Sequence, residues 1–205
     1  MQNFINVDGQ RIALTQEQME KLVADLGIQI QRKTLAECAV GEIVKVGGFE
    51  MVVLEQREGE TALILKDTYG EDITFGDNNN YVGSNADKRC QEFEKELAVQ
   101  VGEENIVSHI VDLTSNDGLK CYGTTERKVS ILTADLYRKF VDILDTVKPD
   151  KWWWLATPWS TARHDHEVCV LCVAPSGNVY FDYCYYYGYG VRPFCILKSN
   201  IFVSG

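Results

Sequence analysis

Cys169-Val-Leu-Cys172 has the spacing of a metal-ligand pair, and His164, His166, Cys184 and Cys195 lie near it in sequence. The first chemistry these residues suggest is therefore tetrahedral zinc binding in a structural site. The second is thiol chemistry, with His109 or the histidines at 164 and 166 as bases, although no local signature ties any of them to a cysteine. A plainer reading competes with both. "VCVLCVAP" is also an apolar strand, in which residues three apart face opposite sides. The seven cysteines, at 38, 90, 121, 169, 172, 184 and 195, are odd in number and read best as reduced, mostly buried small apolar side chains. No phosphate loop, paired-carboxylate motif or dinucleotide fingerprint occurs, so no enzyme activity, cofactor or metal is expected.

A different chemistry is written in "NVYFDYCYYYGYGVRPF", which places six of the ten tyrosines between Tyr180 and Tyr189. Tyrosine offers a large ring, two side-chain torsions to freeze, and a hydroxyl that donates or accepts. Such crowding fits a contact surface better than an alternating strand or a low-complexity tail. Just upstream, "KWWWLATPWST" holds all four tryptophans. Its consecutive rings must point in different directions in any regular structure, so a core cluster is favoured over a sugar-stacking platform. Arg192, beside Pro193, is placed to brace neighbouring carbonyls or a carboxylate.

The elements that must position these residues follow from periodicity. Thr15 caps an amphipathic helix through "LTQEQMEKLVADLG", with Met19, Leu22, Val23 and Leu26 on one face before Gly27. That helix is either an arm for a neighbouring subunit, which would give a route to a homo-oligomer, or part of the main core. "GEIVKVGGFEMVVLEQREGETALILKD" predicts a meander turning at Gly47-Gly48 and at "REGE". Ser84 caps a helix with Ala86, Cys90, Phe93 and Leu97 on its inner face, and "NIVSHIVDL" reads as a strand. Thr133 caps a further helix with Leu136, Tyr137, Phe140, Val141 and Leu144 inward. The order predicts one compact α+β domain.

The 205 residues carry a net charge of −10, which argues against nucleic acid or an anionic membrane as partner. The acid is uneven: residues 1–150 hold 16 basic and 27 acidic side chains, whereas residues 151–205 hold 4 and 3. Neither a signal peptide nor an 18-residue apolar span is written, so no membrane insertion is expected and the protein is placed in a cytoplasm or in a particle assembled there.

"WWWLATPWST", "PSGNVY" and "GVRPFCILKSNIFVS" together resemble the C-terminal signature of a family common in gut bacteria and their phages, W-W-L-x-[ST]-P, then a [DS]-G turn, then G-V-R-P. The likeness extends through "GFEMVVLE", "FGDNNNYVGS" and "RKVSILTADLYRKF", covering roughly residues 38–203. Where many members have arginine and serine, this chain has Ala156 and Thr157. The family resembles the variable proteins of diversity-generating retroelements, which implies a C-type-lectin-like domain at 38–205 with two main helices and antiparallel sheets, preceded by a helical arm at 1–37.

The resemblance further implies a variable region at about 160–192, in which mutated adenines never yield Lys, Glu, Gln, Met or Trp. In the 33 residues from Ser160 to Arg192 only Glu167 belongs to that set, against 43 of the other 172. Strands are themselves poor in Lys, Glu and Gln, which accounts for part of the deficit. On this reading Tyr180, Phe181, Tyr183, Tyr185, Tyr186, Tyr187 and Tyr189 form an exposed ligand-binding patch. His164, Asp165 and His166 add a second strip, with Gly177 and Gly190 as fixed turn and strand-boundary positions. The implied partner is a target protein or glycan on a cell surface, and the implied setting a phage tail or related host-targeting role. A related fold that oxidises cysteine to formylglycine keeps a cysteine-based oxidoreductase as the alternative, beside the zinc-binding structural protein.

Overall fold

The computed structural model describes residues 33–203 together with residues 3–7, 10–14, 18, 21, 22 and 25. The chain divides into two units, Met1–Lys33 and Thr34–Gly205. In the first, β1 (Asn3–Val7) and β2 (Gln10–Leu14) pair antiparallel from Asn3↔Leu14 to Val7↔Gln10. This hairpin was not among the expected elements, although Asp8-Gly9 between the strands is a strong hairpin signal. Within the expected helix, Gln18, Lys21, Leu22 and Asp25 are helical. Thr15, Met19, Val23 and Leu26, on which its cap and stripe depend, lie outside the described residues.

The second unit is mixed α and β, and its strand pairings are antiparallel. Two-residue strands β3 (Lys33–Thr34) and β15 (Phe202–Val203) lie at its ends. The expected meander forms β4 (Ile43–Val46), β5 (Phe49–Arg57) and β6 (Glu60–Leu65), and its turns fall at Gly47-Gly48 and Gly59, all at positive φ. Strand β14 (Phe194–Lys198) joins β6, and β7 (Ile106–Val107) and β10 (Val129–Ser130) pair with β14.

Both faces of this sheet are covered along β5, β6 and β14, which is why these strands carry continuous apolar runs, while edge strand β4 alternates exposed and buried residues. From β5, Met51 and Val53 enter one core cluster with Ala86, Cys90, Phe93 and Leu97 of helix α1 (Asn85–Val101), while Val52 and Leu54 enter the other. Helices α2 (Ala134–Lys139) and α3 (Val141–Leu144) supply Tyr137 and Leu144 to that second cluster, and Phe140 between them joins it. Ser84 caps α1 by accepting from Asp87 N–H at 3.1 Å, as its sequence predicts.

Two expected elements are broken. The helix from Thr133 is interrupted at Phe140 (φ −107°, ψ 13°), whose N–H is shared between the Leu136 and Tyr137 carbonyls, and Val141 consequently faces solvent. The "NIVSHIVDL" strand breaks at Ser108. Val107 pairs with Ile196 of β14, whereas β8 (His109–Asp112) turns to pair with β9 (Thr124–Arg127).

A separate three-stranded sheet carries the aromatic segment: β11 (Trp153–Pro158), β12 (Cys169–Val173) and β13 (Val179–Tyr183), in that order. It extends the same two-sided packing. Trp154 and Cys172 enter the α1-side cluster, and Trp153 and Leu171 the opposite one, so adjacent tryptophans do anchor different layers. Arg192 is buried beneath, donating to the carbonyls of Leu65 (2.8 Å), Lys66 (3.1 Å) and Val147 (2.9 Å) and lying over the Trp153 ring. Carbonyls are thus the groups it braces. Among the described residues no helix is long and apolar enough to cross a membrane.

Candidate functional site

Strand β13 is the outer strand of its sheet, and the hairpin that presents it turns at Pro175-Ser176-Gly177-Asn178. Gly177 has φ 90°, a conformation that strains any other residue, and a Cβ there would also push aside the Asp145 carboxylate, 2.8 Å away. Beyond β13 the chain buries Cys184 and then runs along the surface over residues 185–188. Tyr180, Phe181, Tyr183, Tyr185, Tyr186 and Tyr187 are exposed by 47–66%.

Tyr189 is the correction to the expected patch. It is 8% exposed, stacked on Trp154 at 4.1 Å and 30°, with its hydroxyl donating to Asp182. Gly188 (φ 119°) turns the chain inward, after which Tyr189 pairs with Ile73 and Gly190 with Trp153. Burial and the Asp182 carboxylate push the Tyr189 phenol well above its ordinary range. Gly190 sits where a Cβ would meet the Thr68 side chain at 2.3 Å, so its role is close approach.

The exposed rings are not one plane, because successive residues of β13 face opposite ways. On one side Tyr180 lies against Trp152 (5.4 Å) and Tyr186 meets the edge of Tyr189 (6.4 Å). On the other, Phe181 stacks on Trp159 (4.3 Å, 25°). Tyr183 and Tyr185 stack on each other at 5.1 Å. Neighbouring rings thereby set the orientation of most of these exposed side chains.

His164, Asp165 and His166 are exposed on a short turn after β11, the 3-10 turn Ala162–His164, with Asp165 in the left-handed region (φ 56°). His164 Nδ1 lies 2.9 Å from Asp117 Oδ2, the same oxygen that accepts from Ser160 Oγ at 2.6 Å. Hydrogen bonds from Ser115 and Ser160 hold the Asp117 carboxyl well below the usual carboxylate range. The window 160–192 is not uniformly outward: β12, Cys184 and Tyr189–Arg192 are buried, leaving 162–167 and much of 176–188 at the surface.

Both surface stretches hang from residues 73–79, outside the window. The N–H groups of Ile73, Gly76 and Asn79 donate to the carbonyls of Tyr189 (2.9 Å), Cys184 (3.2 Å) and Glu167 (2.8 Å). The buried Asn79 amide adds contacts to the carbonyls of Ser160 (2.9 Å), His166 (3.1 Å) and Cys169 (2.6 Å), and its own oxygen accepts from Tyr122 at 2.8 Å. Asn79, Asp117, Trp152 and Trp159 went unassigned as site residues from sequence. The run "FGDNNNYVGS" was the available signal, but its partners lie about ninety positions away.

Cys169, Cys172, Cys184 and Cys195 are all buried, whereas Cys121 is exposed. Cys172 and Cys184 are fully buried, and burial pushes the Cys172 thiol up to about 12, opposite to a reactive thiolate. Cys169 is also raised by burial, and Cys195 is raised strongly. Among the described residues no group of three or more His, Cys, Asp or Glu side chains is placed to hold a metal ion. Comparison with known protein families, with curated proteins and with solved structures finds no match to this chain.

Proposed function

We propose that this chain is a recognition protein that displays a variable, tyrosine-rich surface on a C-type-lectin-like scaffold, as the variable proteins of diversity-generating retroelements do. Its partner on this reading is a target protein or glycan on a cell surface, in a phage-tail or related host-targeting setting. One observation carries the proposal. The exposed stretches of the window are tethered through main-chain carbonyls to donors outside it, so outward side chains can be exchanged without loosening the frame. Covering one half-exposed tyrosine ring, roughly 100 Å² of apolar surface, would contribute about 2–3 kcal/mol before ordering costs.

The test is the combined change Tyr185→Ala, Tyr186→Ala and Tyr187→Ala. Adhesion to a panel of bacterial cells and to a glycan array should fall at least about tenfold, the loss of roughly one ring's contribution, while the Tm stays within a few degrees. Retained adhesion, or collapse of the fold, would count against it. Neighbouring DNA gives an independent check: a reverse transcriptase gene and a near-identical repeat of codons 160–195, differing only at template adenines, is the expected arrangement.

A further inference from the structure

The outer edge of β13 is open. Ala174 N–H donates to the Asn178 carbonyl (2.9 Å) and Cys184 N–H to the Val168 carbonyl (2.8 Å), which brackets the β12–β13 ladder. Antiparallel pairs bond at every second residue. In the register Cys172↔Tyr180 and Val170↔Asp182, Tyr180 and Asp182 therefore exchange hydrogen bonds with β12, and the N–H and C=O groups of Val179, Phe181 and Tyr183 point away from it. At Tyr183 both are already engaged, the N–H by Asp182 Oδ1 (2.7 Å) and the C=O by Tyr186 N–H (2.9 Å). At Val179 and Phe181 neither group has a hydrogen-bond partner among the described residues. These two donor–acceptor pairs stand about 6.8 Å apart, the two-residue repeat of a strand.

The flanks of this edge are aromatic and fixed: Tyr180 rests on Trp152 on one side and Phe181 stacks on Trp159 on the other. Both carboxylate oxygens of Asp182, the charged residue of β13, are engaged, by the Tyr189 hydroxyl and the Tyr183 N–H. Lysine, proline and bulges, which commonly blunt an exposed edge, are absent from the strand. Alternating N–H and C=O groups at strand spacing, between aromatic walls and with no carboxylate oxygen left to pair with a cationic side chain, are the complement of an extended, uncharged polypeptide segment.

We infer that the surface binds its target by strand addition at Val179 and Phe181, taking an uncharged segment of a foreign protein whose side chains alternate across the two aromatic walls. This rests on the recognition reading and narrows its partner to protein. The ladder supplies attachment common to all targets, and the exchangeable rings select among them. Tyr183, closed by its own neighbours, sets one end of the added strand.

The test titrates a capped nonapeptide of alternating Thr and Val into the full chain, followed by amide NMR, beside the same peptide N-methylated at every second residue. The unmodified peptide should protect the Val179 and Phe181 amides from exchange and bind about tenfold more tightly than the methylated one, the cost of about one lost hydrogen bond with its partner stranded. Val179→Pro removes an outward N–H and no ring, and should weaken the unmodified peptide comparably at unchanged Tm. Equal binding of the two peptides, binding of neither, or protection that arises from pairing of two copies without peptide would overturn the inference. The two readings fail separately: a bacterial-cell target lost on Tyr185→Ala, Tyr186→Ala and Tyr187→Ala but indifferent to Val179→Pro keeps recognition and removes strand addition.

Discussion

Tyr187 and Tyr189 are the same residue type two positions apart, yet alanine should affect them in opposite ways. Tyr187 is the most exposed ring of the patch, and its loss should change the denaturant-derived stability by less than about 0.5 kcal/mol. Tyr189, stacked on Trp154 and bonded to Asp182, should cost about 3 kcal/mol on the same change. Nothing in "YYYGYG" distinguishes the two. The difference arises at Gly188, where the chain turns inward. His109 offers a second test at this scale. Its Nε2 lies 2.8 Å from Ser130 Oγ, its Nδ1 is buried with no hydrogen-bond partner, and burial lowers its pKa to about 4. The unfolded chain, with an ordinary value near 6.5, takes up this proton first. The neutral ring's contribution is therefore complete above about pH 6.5 and lost as pH falls to about 4, by up to roughly 3 kcal/mol. Urea midpoints at pH 7 and 5 should converge more in a His109→Gln chain than in the parent.

Gly190 links the sheet of β11 to the surface stretch, and its importance lies in how closely Thr68 approaches it. Gly190→Ala should cost about 1–3 kcal/mol through overpacking, and Thr68→Gly in the same chain should recover part of the loss in Tm. Elements with local signatures were readable from sequence: α1 carries its cap and its stripe within one run, and the glycine turns of β4–β6 announce themselves. What was not readable depends on distant partners. The helix breaks at Phe140 although "LYRKFVDIL" shows no Gly or Pro, and "NIVSHIVDL" divides because its halves pair with different strands. The aromatic patch was visible as composition, but its division between two faces required the register of β13 on β12.

At the scale of the molecule, a sheet buried on both faces supports a thin outer sheet whose last strand faces solvent. A library randomised at Tyr180, Phe181, Tyr183, Tyr185, Tyr186 and Tyr187 should keep most members folded, with Tm values spread over a few degrees. Extending the randomisation to Tyr189 should unfold most of them, as read by thermal denaturation of individual clones. The rail at residues 73–79 gives this tolerance a coding-level meaning. Its donors meet Tyr189, Cys184 and Glu167 through peptide oxygens, and every amino acid, proline included, carries that oxygen. No missense change at those three places can delete the acceptor, so a mutagen acting blindly on the segment leaves its moorings chemically intact.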